Sequence, residues 1–128
     1  MTYLTDANVL SEAMKQRPDA GVLAWLRRHE RDLAVDPVIL GELRFGILLL
    51  PRGTRRSRLE RWFETGIARL RCFPWHASSG LRWAQLLADL RATGRSMPIK
   101  ESLIATTAIV HHLTVVTRNR RDFASAGV

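Results

Sequence analysis

Four acids stand where solvent exposure alone would not put an acid: Asp6, Glu42, Glu101 and Asp122. Asp6 closes the apolar run Tyr3-Leu4-Thr5 and has Asn8 two residues on. Glu42 lies in a helical stretch beginning at Pro37, where its neighbours three and four residues away are Val38, Ile39, Phe45 and Gly46, an apolar face. Glu101 opens a second helical stretch with Ile104 and Ala105 on its own face, and Asp122 follows the strand-like run Thr114 to Thr117. Carboxylates are rarely placed on core-facing stripes unless something pairs with them. A divalent cation is the partner that satisfies several at once.

The elements that must position these acids alternate between apolar strands and amphipathic helices. A strand over Thr2 to Thr5 precedes a helix that starts at Pro18-Asp19 and runs to about His29, with Val22, Leu23 and Leu26 as its apolar stripe. Leu33 to Val35 reads as a second strand. Asp36-Pro37 then supplies an N-cap and a first-turn proline for a helix ending near Pro51. Further helices are expected over Thr54 to Leu70, over Ser78 to Thr93 with Leu81, Ala84, Leu87 and Ala88 inward, and over Ile99 to His112. Arg71 to Phe73 and Leu113 to Thr117 are the remaining strands. Such alternation predicts an α/β fold with a parallel sheet flanked by helices on both faces, whose ligands bind at the carboxyl ends of the strands. Asp6 and Asp122 fall just past strand ends, and Glu42 and Glu101 on helices that follow them.

Composition bounds the rest. A chain of 128 residues without linker or repeat is expected to be one domain, residues 1–128, and 46% apolar with 25% charged residues is too hydrophobic for disorder. No apolar stretch approaches the roughly 18 residues of a membrane helix, and the N-terminus shows no signal-peptide pattern. With the single Cys72, this suits a reducing cytoplasm. Twenty basic residues against 12 acidic give a formal charge of +8, nearly all of it arginine, densest from Arg52 to Arg61. That cluster fits either a solvated helix face or a phosphate-binding strip, and Trp62 beside it could stack on a base. Trp25, Trp75 and Trp83 read as packing residues. His111-His112 point about 100° apart at a helix C-terminus, where the dipole favours histidine, and are not expected to bind metal.

Four segments together resemble the PIN-domain ribonucleases, especially the VapC-type toxins of toxin–antitoxin pairs. Tyr3 to Glu12 (YLTDANVLSE) is similar to the opening strand and its acidic turn, and Val38 to Ile47 (VILGELRFGI) to the glutamate helix. Met97 to Ala108 (MPIKESLIATTA) is similar to the segment carrying the third acid, and Val116 to Phe123 (VTRNRRDF) to the closing motif. Each is weak alone; four in order are strong. The resemblance implies a PIN-like three-layer fold and a metal-dependent endoribonuclease. Asp6, Glu42, Glu101 and Asp122 would form its acidic cluster, with Asn8, Thr117 and Asn119 as supporting polar groups. It implies Mg²⁺ or Mn²⁺ as cofactor, with Asp6 and Glu101 as first ligands and Glu42 and Asp122 as ligands or water-mediated partners. Oxygen donors suit those hard cations, and a lone cysteine argues against a thiolate zinc site. It also implies an RNA substrate, a cognate VapB-like antitoxin, for which Ile47 to Leu50 could provide an apolar face, and a homodimer.

Two positions depart from the family pattern: Glu101 stands where aspartate is usual, and Ala7 where threonine or serine is usual. They support an alternative, a catalytically impaired PIN-fold protein that binds RNA or an antitoxin. A phosphatase of the haloacid dehalogenase type also opens on a strand ending in aspartate. Its chemistry wants a second aspartate two residues on, and that position is Asn8.

Overall fold

The computed structural model describes residues 1–128. Four short strands, β1 (Tyr3–Thr5), β2 (Leu33–Val35), β3 (Arg71–Cys72) and β4 (Thr114–Val116), form one sheet in the order β3-β2-β1-β4, with every neighbouring pair parallel. Leu4 is in register with Ala34 on one side and Val115 on the other, so the carboxyl ends of the three strands lie level. From β1 the chain adds β2 and β3 outward, then crosses back to place β4 on the other side of β1. The order therefore reverses between β1 and β4, which is where an open parallel sheet leaves a crevice for ligands.

Parallel strands need crossovers, and helices supply them. The long ones are α2 (Ala20–Arg28), α3 (Pro37–Leu48), α4 (Thr54–Thr65), α5 (Ala77–Ala92) and α6 (Ile99–His111); α1 (Ala7–Leu10) and α7 (Arg120–Phe123) are single turns. Asp19 caps α2 through the N–H groups of Gly21 and Val22, and Asp36 caps α3 through that of Ile39 with Pro37 at the first position, as expected. His112 ends α6 in the left-handed conformation at φ 55°. Leu4, Val35, Ile39, Leu43, Ile104 and Ala105 fill the centre of the core, each large aliphatic among them contributing about 1.5–3 kcal/mol of burial. No helix is long and apolar enough to cross a membrane.

Three expectations need correction. Helix α4 stops at Thr65 rather than Leu70: Gly66 takes the C-cap and the chain tightens into a 3₁₀ turn at Ile67–Arg69. The residues after Asp6, which carried no helix in the sequence reading, form α1 and a 3₁₀ turn at Ser11–Met14. Helix α5 turns a different face inward. Leu81 is 75% exposed and Ala84 and Ala88 are exposed, while Ser79, Leu86 and Leu90 are buried. The indole N–H of Trp83 fixes that rotation by donating to the Ser102 hydroxyl of α6 at 2.9 Å.

Candidate active site

Asp6 leaves β1 at the crevice, only 3% exposed. Its Oδ1 accepts the backbone N–H of Ala7 at 2.7 Å and its Oδ2 the hydroxyl of Thr117 at 2.9 Å, while its own N–H donates to the Val116 carbonyl at 2.9 Å. The Thr117 hydroxyl in turn accepts the backbone N–H of Asn119 at 2.9 Å. The two sides of the strand-order reversal are thus tied through one carboxylate. Each carboxylate oxygen still has a lone pair to offer.

Glu42 and Glu101 approach from α3 and α6 and are joined to Asp6 electrostatically by Lys100. The Lys100 ammonium lies 3.0 Å from Glu42 Oε2. Its pKa is raised first by that hydrogen bond; burial opposes this, and the charges of Glu42, Glu101 and Asp6 raise it further. The Glu42 carboxyl is pushed up by burial first; the charges of Asp6 and Glu101 add to this and Lys100 opposes it. Its Oε1 is buried without a hydrogen-bond partner. The face assigned to Glu42 from helical spacing is corrected: Phe45 is 62% exposed and Gly46 is exposed, and the core stripe of α3 is Ile39, Leu43 and Ile47. Glu42 sits at the edge of that stripe, where a charge can meet Lys100.

Asp122 lies in α7, half-buried, with its N–H donating to the Asn119 carbonyl at 3.0 Å. It enters none of the interactions that link Asp6, Glu42 and Glu101. Asn8 is exposed on α1, its carbonyl accepting the Ser11 hydroxyl at 3.3 Å. Asn119 acts through its backbone, on Thr117. His111 packs on the Phe73 ring at 4.7 Å.

Three polar groups at this end escaped the sequence reading. Asp36, read there as a cap alone, is completely buried at the end of β2, one strand from Asp6. Its Oδ1 accepts from Ile39 N–H at 2.9 Å and its Oδ2 from the Thr107 hydroxyl at 2.7 Å, and Thr107 accepts from the Trp75 indole at 3.0 Å. An acid directly after the apolar strand Leu33–Val35 was the available signal. Lys100, beside Glu101 in the chain, is the second. Glu12, 2% exposed, is the third: its Oε1 accepts the Asp19 N–H at 2.9 Å, and its Oε2 lies 2.7 Å from Lys15 Nζ and 3.3 Å from Arg118 Nη1. The Lys15 hydrogen bond, then that of Asp19, holds the Glu12 carboxyl below its usual range.

Burial, and secondarily the Asp6 charge, raises the Asp36 carboxyl. A folded-state pKa above the unfolded one means that the folded chain holds the extra proton in that window, so this group's contribution falls as pH rises through it. Asp36→Asn, which mimics the protonated form, should therefore be more stable than the parent at pH 8 and lose that advantage near pH 4. Asp36→Ala removes the α3 cap and orphans Thr107, costing about 2–4 kcal/mol. Urea unfolding at both pH values checks the pair; a uniformly destabilised Asp36→Asn would show that the ionised carboxylate is preferred.

No three acids, histidines or cysteines converge closely enough to make a finished metal cage. The donor set nevertheless suits a hard cation. It is all oxygen, it includes the partnerless buried Oε1 of Glu42, and a positive charge, Lys100 Nζ, already sits 3.0 Å from Glu42 Oε2 and feels the charges of Glu101 and Asp6.

Residues 3–128 match the PIN domain. The chain is 32% identical over 127 residues to the VapC ribonuclease Y4jK of Sinorhizobium fredii, covering 96% of this chain and 91% of that protein. It superposes on the crystal structure of FitAcB from Neisseria gonorrhoeae with a TM-score of 0.88 and 30% identity, covering 99% and 94% of the two chains. VapBC-5 from Mycobacterium tuberculosis, described as a member of the VapBC family of toxin–antitoxin systems, aligns with a TM-score of 0.62 and 30% identity over 73% of this chain and 72% of that one. The four-stranded parallel sheet, the buried aspartate at its reversal point and these likenesses agree: the chain belongs to the PIN-domain family.

Proposed function

We propose that this protein is a toxin endoribonuclease that hydrolyses RNA phosphodiester bonds with Mg²⁺ or Mn²⁺ and is restrained by a cognate antitoxin. The observation that carries the reading is Asp6, buried at the strand-order reversal, oriented by Ala7 and Thr117, and coupled through Lys100 to Glu42 and Glu101. The names VapC ribonuclease and toxin–antitoxin system, borne by its relatives, support both the chemistry and the partner.

Asp6 and Glu101 would hold the metal directly, with Glu42 and Asp122 as ligands or water-mediated partners. The bound ion would acidify a water and neutralise charge on the phosphoryl oxygens. The protein's own groups set the stage. Thr117 and the Ala7 N–H fix the direction of the Asp6 lone pairs, and Asn119 fixes Thr117. Glu42, its carboxyl raised by burial, is suited to take the proton of the attacking water at Oε1. Lys100 can turn from Glu42 to a phosphate oxygen, because its side chain is half exposed. For the partner, Leu48 and Leu49 of the run Ile47 to Leu50 are exposed at the end of α3 together with Phe45, whereas Ile47 is fully buried. A homodimer follows the commonest closed symmetry.

Two observations of the structure favour the impaired reading: the acids do not form a cage, and Lys100 already neutralises Glu42. Cleavage of a panel of structured RNAs with Mg²⁺, with Mn²⁺ and with chelator decides between the two. In parallel, saturating Mn²⁺ should stabilise the fold by on the order of 1–3 kcal/mol through mass action. Thermal melts that show no rise, or an equal rise in Asp6→Asn, would remove the metal from this site.

A further inference from the structure

We infer that a basic pocket beside α4, lined by Lys15, Arg55, Arg58 and Trp62, is a subsite for single-stranded RNA flanking the scissile phosphate; this rests on the ribonuclease reading and extends it. The pocket encloses about 470 Å³ between the 3₁₀ turn after α1 and the face of α4 that carries Arg55, Arg58 and Trp62, and no carboxylate lines it. Arg55, Arg58 and Trp62 are spaced i, i+3 and i+7, so they share one face of the helix. Arg55 and Arg58 are exposed and form no ion pair, whereas Arg56, one position round the helix, is occupied by Glu60 at 2.7 Å. Two unpaired guanidinium groups that share a pocket are repulsive in the free protein, and a phosphate relieves that repulsion bidentately. Trp62 is half-buried against the core, which holds its ring at the pocket wall where a base can stack.

A short series of contacts joins this pocket to the acids. Lys15 Nζ is 2.7 Å from Glu12 Oε2, which is 3.3 Å from Arg118 Nη1. Arg118 follows Thr117, the residue bonded to Asp6. Two acids border that path: Glu12, 2% exposed and paired with Lys15 and Arg118, and Asp19, half-exposed, with its Oδ2 3.6 Å from Arg118 Nη2. A strand with its reacting phosphate at Asp6 can therefore pass Arg118 and Lys15 and reach Arg55 and Arg58 with each bordering carboxylate already facing a cation. An acidic peptide shares the charge but not the stacking, and the aromatic wall favours RNA.

The test measures binding separately from cleavage. A fluorescein-labelled, mixed-sequence single-stranded oligoribonucleotide is titrated against Asp6→Asn protein without added metal, alone and combined with Arg55→Ala, Arg58→Ala, Trp62→Leu or Trp62→Phe. Each arginine variant should weaken binding about tenfold and flatten the slope of log K against log salt by about 0.7. Trp62→Leu should weaken it about tenfold with an unchanged slope, and Trp62→Phe should restore most of the loss. Arg91→Ala, on the exposed face of α5, serves as the control. Equal losses in Arg91→Ala, unchanged affinity in the pocket variants, or displacement of the RNA by polyglutamate at matched charge would overturn the subsite. If the pocket variants behave as expected but the parent protein cleaves no RNA with either metal, the subsite stands and the nuclease reading falls.

Discussion

Asp6→Asn is expected to lower RNA cleavage by about a thousandfold, equivalent to about 4 kcal/mol of transition-state stabilisation, with little change in fold. Asparagine keeps an oxygen for the Ala7 N–H, so the turn into α1 survives. What it loses is the anionic Oδ2 that Thr117 orients and that a divalent ion needs. The change in stability should be small and can even be favourable, because the Asp6 charge helps to push up the carboxyls of Asp36 and Glu42. Measuring kcat/KM and a denaturant melt on the same preparation separates the two effects. Activity within threefold of the parent would reduce Asp6 to a structural cap and remove the central residue of the proposed site.

That separation matters because the sequence made the strands legible and left their cross-connections hidden. Leu33–Val35 is a short apolar run closed by Asp-Pro, and an N-cap followed by proline is a local signal that needs no tertiary information. The parallel sheet followed from alternation in the same way. Helix α5 defeated the same reasoning because leucine and alanine occur all round it, at Leu81, Ala84, Leu86, Leu87, Ala88 and Leu90, so periodicity offers more than one inward face. Packing against α6 chose among them, through Trp83 and Ser102.

The site shows the same division between local and distant information. The acids were visible as residues out of place, but the groups that orient them are far away in the chain: Thr117 is 111 residues from Asp6, Arg118 is 106 from Glu12, and Thr107 is 71 from Asp36. No local pattern encodes such pairs. Glu12 and Lys100 passed unnoticed because an acid near a lysine is ordinary on a solvated helix. Burial alone makes Glu12 an anchor, and only the approach of α6 to α3 makes Lys100 the partner of Glu42.

Glu101 offers the sharpest separation of charge from geometry. Its carboxylate acts on Glu42 and Lys100 from the first turn of α6, so it belongs to the same electrostatic group as Asp6. Removing the charge by Glu101→Gln should cost about a hundredfold in cleavage, about 2.7 kcal/mol, since a neutral amide is a poor ligand for a hard cation. Shortening the side chain by Glu101→Asp keeps the charge and withdraws the oxygens by roughly 1 Å, a large displacement for an ion that demands near-octahedral geometry. If the extra methylene places the glutamate oxygens too far forward, cleavage in Glu101→Asp should equal or exceed that of the parent at saturating Mg²⁺, and half-saturation should occur at lower metal. A loss in Glu101→Asp as deep as in Glu101→Gln would mean that the glutamate reach is required and that the other ligands are set back to match it. Equal activity in all three forms would place Glu101 outside the metal site and leave Asp6 and Glu42 to hold the ion with Lys100 beside them.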